Sequence, residues 1–443
     1  MMKEGTLRIS WGWILVKVIL LILLIVAGVV VRPVMAAAFL FGVYVVLSCH
    51  DDVEISAVLF ALLNVSMIYK LSPGSTSLYT YIELIAIAKY FYLGPYFDSD
   101  FLAPWLLYVI YLQVGCGTQF VSLIKVAIVP LILYYMARNL DYQNLKTLFF
   151  FYFVGVLASS LIGLCSESIP HMNAYVLHKE VYLGYTDDGF ISSQRFSGLW
   201  GDPNYYTIHL ILSIAICAVL LCRREIKRST FYVVYILMAA FGSMTGSKSF
   251  FLMLILVTGA FIMMLFRNGE YGQWMMFLLL AILLGALVLS GEIEAFDTVL
   301  SRLGSVASGE KDLTTGRADI WQKYLAVFLE RPIKFLFGNG IKNGQTFTKA
   351  VHNAYIDFLD YLGLFGTSLF LMSIHSGLAH MRETSKKRGD FLPLLSLAML
   401  YFFLNMFYAN DTEFELLLAF GFLYYGGAET GRGENDSAKT MGQ

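Results

Sequence analysis

Charge is what this sequence has least of. Only 14% of its 443 residues are Asp, Glu, Lys or Arg, against about 25% in soluble globular domains. That scarcity excludes an ordinary water-facing surface. The charges also nearly cancel: the formal net charge is −1, so no overall basic field exists to recruit nucleic acid. Cysteine is sparse and scattered. Cys49, Cys116, Cys165, Cys217 and Cys222 form no CxxC pair, which removes the usual zinc and thiol-redox signatures. Cys217 and Cys222 share one apolar run and read as small core residues rather than a disulfide. There is no internal repeat, and no low-complexity tract before the polar tail that follows Gly427.

What is present is hydrocarbon. Hydrophobic residues make up 58% of the chain and the mean hydropathy is +0.67. The apolar residues fall in blocks long enough to cross a bilayer core, which takes about 20 residues per helix. Lipid leaves no water for backbone groups, so such blocks must be helices or a closed barrel. Barrel strands would alternate polar and apolar over about 10 residues. Runs such as Leu20 to Val31 and Leu210 to Leu221 are instead continuously apolar.

The spans fall at 11–31, 34–49, 55–71, 77–95, 101–115, 119–137, 147–165, 203–222, 230–243, 247–266, 274–291, 353–379, 391–408 and 413–427. The run from Trp11 to Val31 exceeds a signal-peptide core and is expected to be retained, although Ala36-Ala37-Ala38 mimics a cleavage site. The expected fold class is therefore an all-α polytopic membrane protein with roughly twelve to fourteen transmembrane helices and a large, partly helical outer loop.

Short-loop Lys and Arg set the orientation. Lys3 and Arg8, Arg138 with Lys146, Arg223 to Arg228, and Arg382 to Arg388 alternate correctly if both termini are cytoplasmic. The long polar segments 166–202 and 292–352 then fall outside. The organisation expected is 1–145, N-terminal transmembrane helices; 146–291, transmembrane helices with the first long outer loop (166–202); 292–352, a large outer loop with amphipathic helices; 353–427, C-terminal transmembrane helices; and 428–443, a polar cytoplasmic tail. Within the large loop, Ile320, Tyr324, Val327 and Phe328 follow helical spacing. Arg331-Pro332 breaks that helix, and Gly338-Asn339-Gly340 marks a turn.

Three constellations carry chemistry. In the first, Arg195 to Asn204, the loop enters a helix at Pro203, and Asp202 is placed to cap it. Arg195 offers a permanently charged fork that matches phosphate oxygens; the alternative is that it snorkels to lipid headgroups. In the second, Thr315 to Trp321, Arg317 lies near a helix N-terminus, where free N–H groups favour an anion. The alternative there is an ion pair with Asp319 or Glu310. Arg302 is a further cation in the same loop. The third, His352 to Gly366, returns from the loop into lipid. Asn353, Asp357 and Asp360 share one helix face, where buried carboxylates imply a polar cavity. His352 can take a proton near neutral pH; the alternative is that it only caps the helix and the aspartates pair with lysines.

Taken together, these segments resemble the O-antigen ligase and Wzy-type O-antigen polymerase superfamily of bacterial membrane proteins. The shared pattern is Arg-x-x-Gly…Asp-Pro-Asn (Arg195 to Asn204), Thr-Gly-Arg…Trp…Gly-x-Gly (Thr315 to Gly340) and His-Asn-x-Tyr with a Gly-rich end (His352 to Gly366). Thr245 to Ser249 is similar to the family's Thr-Gly-Ser-Arg-Gly turn, with Lys248 for Arg and Ser249 for Gly. The likeness extends over roughly 145–430.

The resemblance implies a glycosyltransferase that uses an undecaprenyl diphosphate-linked glycan as donor. It implies a place in the bacterial cytoplasmic (inner) membrane with the active site facing the periplasm or exterior. Arg195, Arg317 and Arg302 would hold the diphosphate, and His352 would activate the acceptor hydroxyl. Asp357, Asn353, Asp202 and Asn204 would support them. No metal and no cofactor is expected. Expected partners are the lipid-linked glycan, membrane lipid, and a chain-length regulator and a flippase of the same pathway; nucleic acid is not one.

The leading reading is a polymerase of repeat units for O-antigen, capsule or exopolysaccharide, favoured by an aromatic content of 28 Tyr and 35 Phe suited to stacking on sugars. The alternative is a ligase that moves the glycan to lipid A-core or another acceptor of lipopolysaccharide synthesis. A glycan transporter is the rival from another class, but it would show paired halves and broken helices at the membrane midplane. Asp98-Ser99-Asp100 and Gly242 to Ser249 lack the α/β surroundings of metal-dependent sugar transfer or a nucleotide loop. Lys17, Lys89 and Lys125 lie near span ends, within reach of the interface by snorkelling.

Overall fold

The computed structural model describes residues 4–94, 99–115, 144–176, 180–186, 189–222, 224–267, 269, 271–272, 274–279, 317–340, 351 and 353–383, with single positions at 123, 127, 131 and 282. The expected spans at 391–408 and 413–427, most of 119–137 and of 274–291, and the tail lie outside the described residues, as do Arg302 and His352.

Helix α1 (Glu4–Val30) turns at Val31 into α2 (Arg32–Leu47). Pro33 sits in the first turn of α2, where its missing N–H costs nothing. Helix α3 (Asp52–Leu63) starts from an Asp51 cap, whose carboxylate accepts the Glu54 N–H at 2.8 Å. It ends at Asn64, so the apolar run expected to span 55–71 is cut short. Consecutive turns follow through Tyr69, and α4 (Leu78–Leu93) begins at a Ser77 cap. Helix α5 (Ser99–Val114) carries Pro104 one turn in. Helices α6 (Leu145–Leu164), α7 (Pro203–Cys222), α8 (Arg228–Met244) and α9 (Lys248–Arg267) match the expected spans within about two residues. Then come α10 (Arg317–Glu330), α11 (Pro332–Phe337) and α12 (Ala354–Glu383).

One element departs from the all-α expectation. Strands β1 (Glu180–Thr186) and β2 (Gly189–Gln194) pair antiparallel within the first long polar segment. Their sequence combines Val181, Tyr182, Tyr185, Phe190 and Ile191 with an intervening Asp187-Asp188-Gly189, the composition of a hairpin. The signal was present, but it is short and lies in a stretch dominated by polar residues.

Apolar side chains from α1 to α9 form one continuous core, which Phe358, Leu362, Leu369 and Phe370 of α12 join. The outward faces are apolar as well: Leu23, Leu40, Ile110 and Ile255 are exposed. Helices hydrophobic on all sides belong inside a large core or in lipid. Trp11–Val30, Lys146–Leu164 and Tyr355–Ser373 are long and apolar enough to cross a bilayer. Arg32–Leu47, Ser99–Val114, Pro203–Ala218 and Ser249–Met263 are apolar but shorter.

Two of the lysines within the expected spans, Lys17 and Lys89, have protein partners, and Lys125 lies outside the described residues. Lys17 donates to the Ser48 hydroxyl at 2.8 Å, and Lys89 to the Leu47 carbonyl at 3.3 Å. Both converge on the C-terminus of α2, the negative end of its dipole.

Candidate functional site

The Arg195–Asn204 segment is pinned along its length. Asp202 caps α7 as the sequence indicates: its carboxylate accepts the Asn204 N–H at 2.8 Å, and its carbonyl accepts the Tyr206 N–H at 3.1 Å. Phe196 stacks on Phe241 of α8 and meets Tyr206 edge-on. Gly198 lies against Gly163 of α6, where a Cβ on Gly163 would come within 2.7 Å of the Gly198 backbone. The Leu199 N–H donates to Ser159 at 3.2 Å.

This segment meets the Thr245–Ser249 turn directly. Arg195 Nε donates to the Thr245 carbonyl at 2.6 Å, so the guanidinium is anchored to the turn rather than left to snorkel. Ser247 Oγ donates to Asn204 Oδ1 at 3.0 Å and lies 3.0 Å from Ser249 Oγ. The turn closes on itself through the Thr245 hydroxyl, which donates to Gly242 O and accepts from Ser247 N. It leads straight into α9 at Lys248; the Lys248 side chain is outside the described residues. Arg195, Asn204, Ser247 and Ser249 thus gather beside the N-terminus of a twenty-residue helix, the end that favours an anion.

The second cluster is built around the start of α12. Arg317 is the first residue of α10. One turn on, Trp321 Nε1 donates to the Val351 carbonyl at 2.9 Å. Tyr324, Phe328, Val351 and Ile356 form a separate small core beneath that bond. Asn353 caps α12, its side-chain oxygen accepting from Tyr355 N at 3.0 Å and Ile356 N at 3.4 Å. The cap function is thus carried by Asn353; His352 lies outside the described residues. Asp357 and Asp360 are 0% and 1% exposed, as their shared face implies.

Asp360 is reached by the 338–340 turn: its Oδ1 accepts from Asn339 Nδ2 at 2.6 Å. The reason is a break in α12. Gly363 has φ 65° and ψ −179°, which interrupts the i→i−4 ladder and frees the carbonyls just before it. The Asn339 N–H takes Asp360 O at 2.7 Å, and the Gly340 N–H takes Tyr361 O at 3.0 Å. The Tyr111 hydroxyl of α5 donates to Leu362 O at 2.8 Å and faces Phe337 O. The Gly338-Asn339-Gly340 turn is thus a plug for the broken helix, which ties the chain that follows α11 to the helix carrying Asp357.

The sequence-derived candidates therefore fall into two groups. Arg195, Asp202 and Asn204 are joined with the Thr245–Ser249 turn in the main core. Arg317 opens α10, and Asn353 and Asp357 lie at the start of α12, the two helices that frame the small core. Sequence reasoning undervalued Tyr111 and Trp321, whose roles depend on contacts across 251 and 30 residues.

A model of the O-antigen ligase family matches residues 231–371, a narrower stretch than the 145–430 over which the motifs extend. It takes in the Thr245–Ser249 turn, Arg317, the Gly338–Gly340 turn, His352 and the Gly363 break, and leaves out Arg195. No curated protein and no solved structure gives a match. Over residues 231–371 the chain is similar to the O-antigen ligase family, which supports the resemblance to the O-antigen ligase and polymerase superfamily, and that likeness together with the apolar helices points to an integral membrane protein.

Proposed function

We propose that the protein polymerises undecaprenyl diphosphate-linked oligosaccharide repeat units on the outer face of a bacterial cytoplasmic membrane. The observation that carries this reading is that two of the three constellations set an arginine at a helix start. Arg195 is fixed to the turn that opens α9, and Arg317 opens α10. A diphosphate gains negative charge as it leaves, so fixed guanidinium groups and helix N-termini stabilise the transition state more than the ground state.

In this reading the acceptor hydroxyl oxygen attacks the anomeric carbon of the donor glycan. The bond from that carbon to the diphosphate oxygen breaks, and undecaprenyl diphosphate departs with the electron pair. His352 takes the hydroxyl proton, and attack opposite the leaving group inverts the anomeric centre. The flanks of position 352 are held: Val351 by Trp321, and Asn353 as the cap of α12. Asp357, fully buried one turn beyond that cap, orients the histidine. Arg302 adds charge for the diphosphate.

Transfer of the finished glycan to an acceptor such as lipid A-core is the second reading, and the description of the matched family as O-antigen ligase favours it. The two share a donor and differ in acceptor. A gene-null strain separates them on a glycan gel. Single repeats left on the final acceptor identify a polymerase. Long chains stranded on the lipid carrier identify a ligase. Repeat units retained on the inner leaflet would contradict both and favour a transporter.

A further inference from the structure

Beneath the Arg195–Asn204 segment lies a chain of buried polar side chains that the proposed chemistry does not use. Trp200, half-buried, stacks on His209 of α7 with ring centroids 4.4 Å apart and planes 20° from parallel. His209 is 0% exposed, and its Nδ1 lies 2.8 Å from the hydroxyl of Tyr152 on α6. On its edge, Trp200 Nε1 donates at 3.3 Å to Oδ1 of Asn64, the residue that ends α3. Indole N–H is donor only, so the amide must present its oxygen there. Asn64 is 1% exposed, and its Nδ2 has no hydrogen-bond partner among the described residues.

A histidine and an asparagine are costly inside an apolar bundle, and an unpartnered amide donor adds to that cost. Both converge on one ring. Trp200 also closes the 197–200 turn through its N–H to Ser197 O at 3.0 Å. Its neighbours reach Ser159 through Leu199 N, and Ser247 through Asn204. Three helices, α3, α6 and α7, therefore fix the plane of one tryptophan midway between Arg195 and Asn204.

We infer that Asn64 and His209 are positioning residues that act through Trp200 to hold Arg195 in register with the Thr245–Ser249 turn. This rests on the proposed role of Arg195 in donor binding. Because Asn64 Nδ2 bonds to nothing described, Asn64→Asp, which keeps an acceptor oxygen in either protonation state, retains function where the similarly sized Asn64→Leu does not.

The test uses the full-length protein in proteoliposomes, supplied with the lipid extract of gene-null cells as donor source. Initial rates are measured against extract concentration, with melting temperature as the check on folding. Asn64→Leu and Trp200→Phe are each expected to lower kcat/KM about tenfold. The double variant is expected to be no worse than the poorer single, because both remove the same link. Asn64→Asp stays within about twofold of wild type. With Arg195→Ala inactive, the inference is overturned if the two single effects multiply, or if Asn64→Asp fails as badly as Asn64→Leu. It is overturned equally if both single variants match wild type. If Arg195→Ala itself runs at the wild-type rate, the donor-site reading has failed and takes this inference with it.

Discussion

Gly363 and Gly338 occupy a backbone region, φ near +70° with ψ near 180°, that only glycine enters without strain. They also face each other, and a Cβ on either would run into the backbone of the other's segment. Gly363→Ala should therefore cost about 1–3 kcal/mol and lower the melting temperature of the detergent-solubilised protein. An unchanged melting temperature would show that the junction is not held as described. A Gly-rich end could be read from the sequence, but the freed carbonyls of Asp360, Tyr361 and Leu362 could not. Those depend on Asn339, Gly340 and Tyr111 arriving from distant parts of the chain. Asp202 was legible as a cap because capping is local; the docking of Arg195 on Thr245 was not, because it crosses 50 residues.

Elements were read more faithfully than their ends and interruptions. The spacing of Ile320, Tyr324, Val327 and Phe328 marked a helix within 320–329, and α10 covers Arg317–Glu330 with Tyr324 and Phe328 buried. Periodicity reports a buried face directly. It is blind to a polar stop such as Asn64, which ends α3 early, and to the short hairpin of β1 and β2. Helix α10 has a further duty: the Trp321 bond to Val351 carries the Arg317 helix to the start of α12. Trp321→Phe removes that donor while keeping an aromatic ring. A stability loss of about 1 kcal/mol is expected, with a disproportionate fall in glycan output at matched protein level. A fall no larger than the loss of folded protein would mean that the contact is only packing.

At the scale of the whole molecule, apolar faces inside and out make sense only with lipid around the bundle, and on the charge pattern we propose that the long polar segments lie outside. Cys165 tests this directly. It is exposed and lies where α6 meets the first of those segments. In a variant keeping Cys165 alone, a membrane-impermeant maleimide should label intact cells; labelling only after permeabilisation would invert the topology. The central claim is that Arg317 and His352 act in glycan transfer. It is tested most directly by glycan profiles of a gene-null strain complemented with wild type, Arg317→Ala or His352→Ala at equal protein levels in the membrane. The expected result is that wild type restores the full glycan pattern while both variants leave the null pattern, a loss of at least about a hundredfold in product. Restoration by either variant to the wild-type level would contradict the claim.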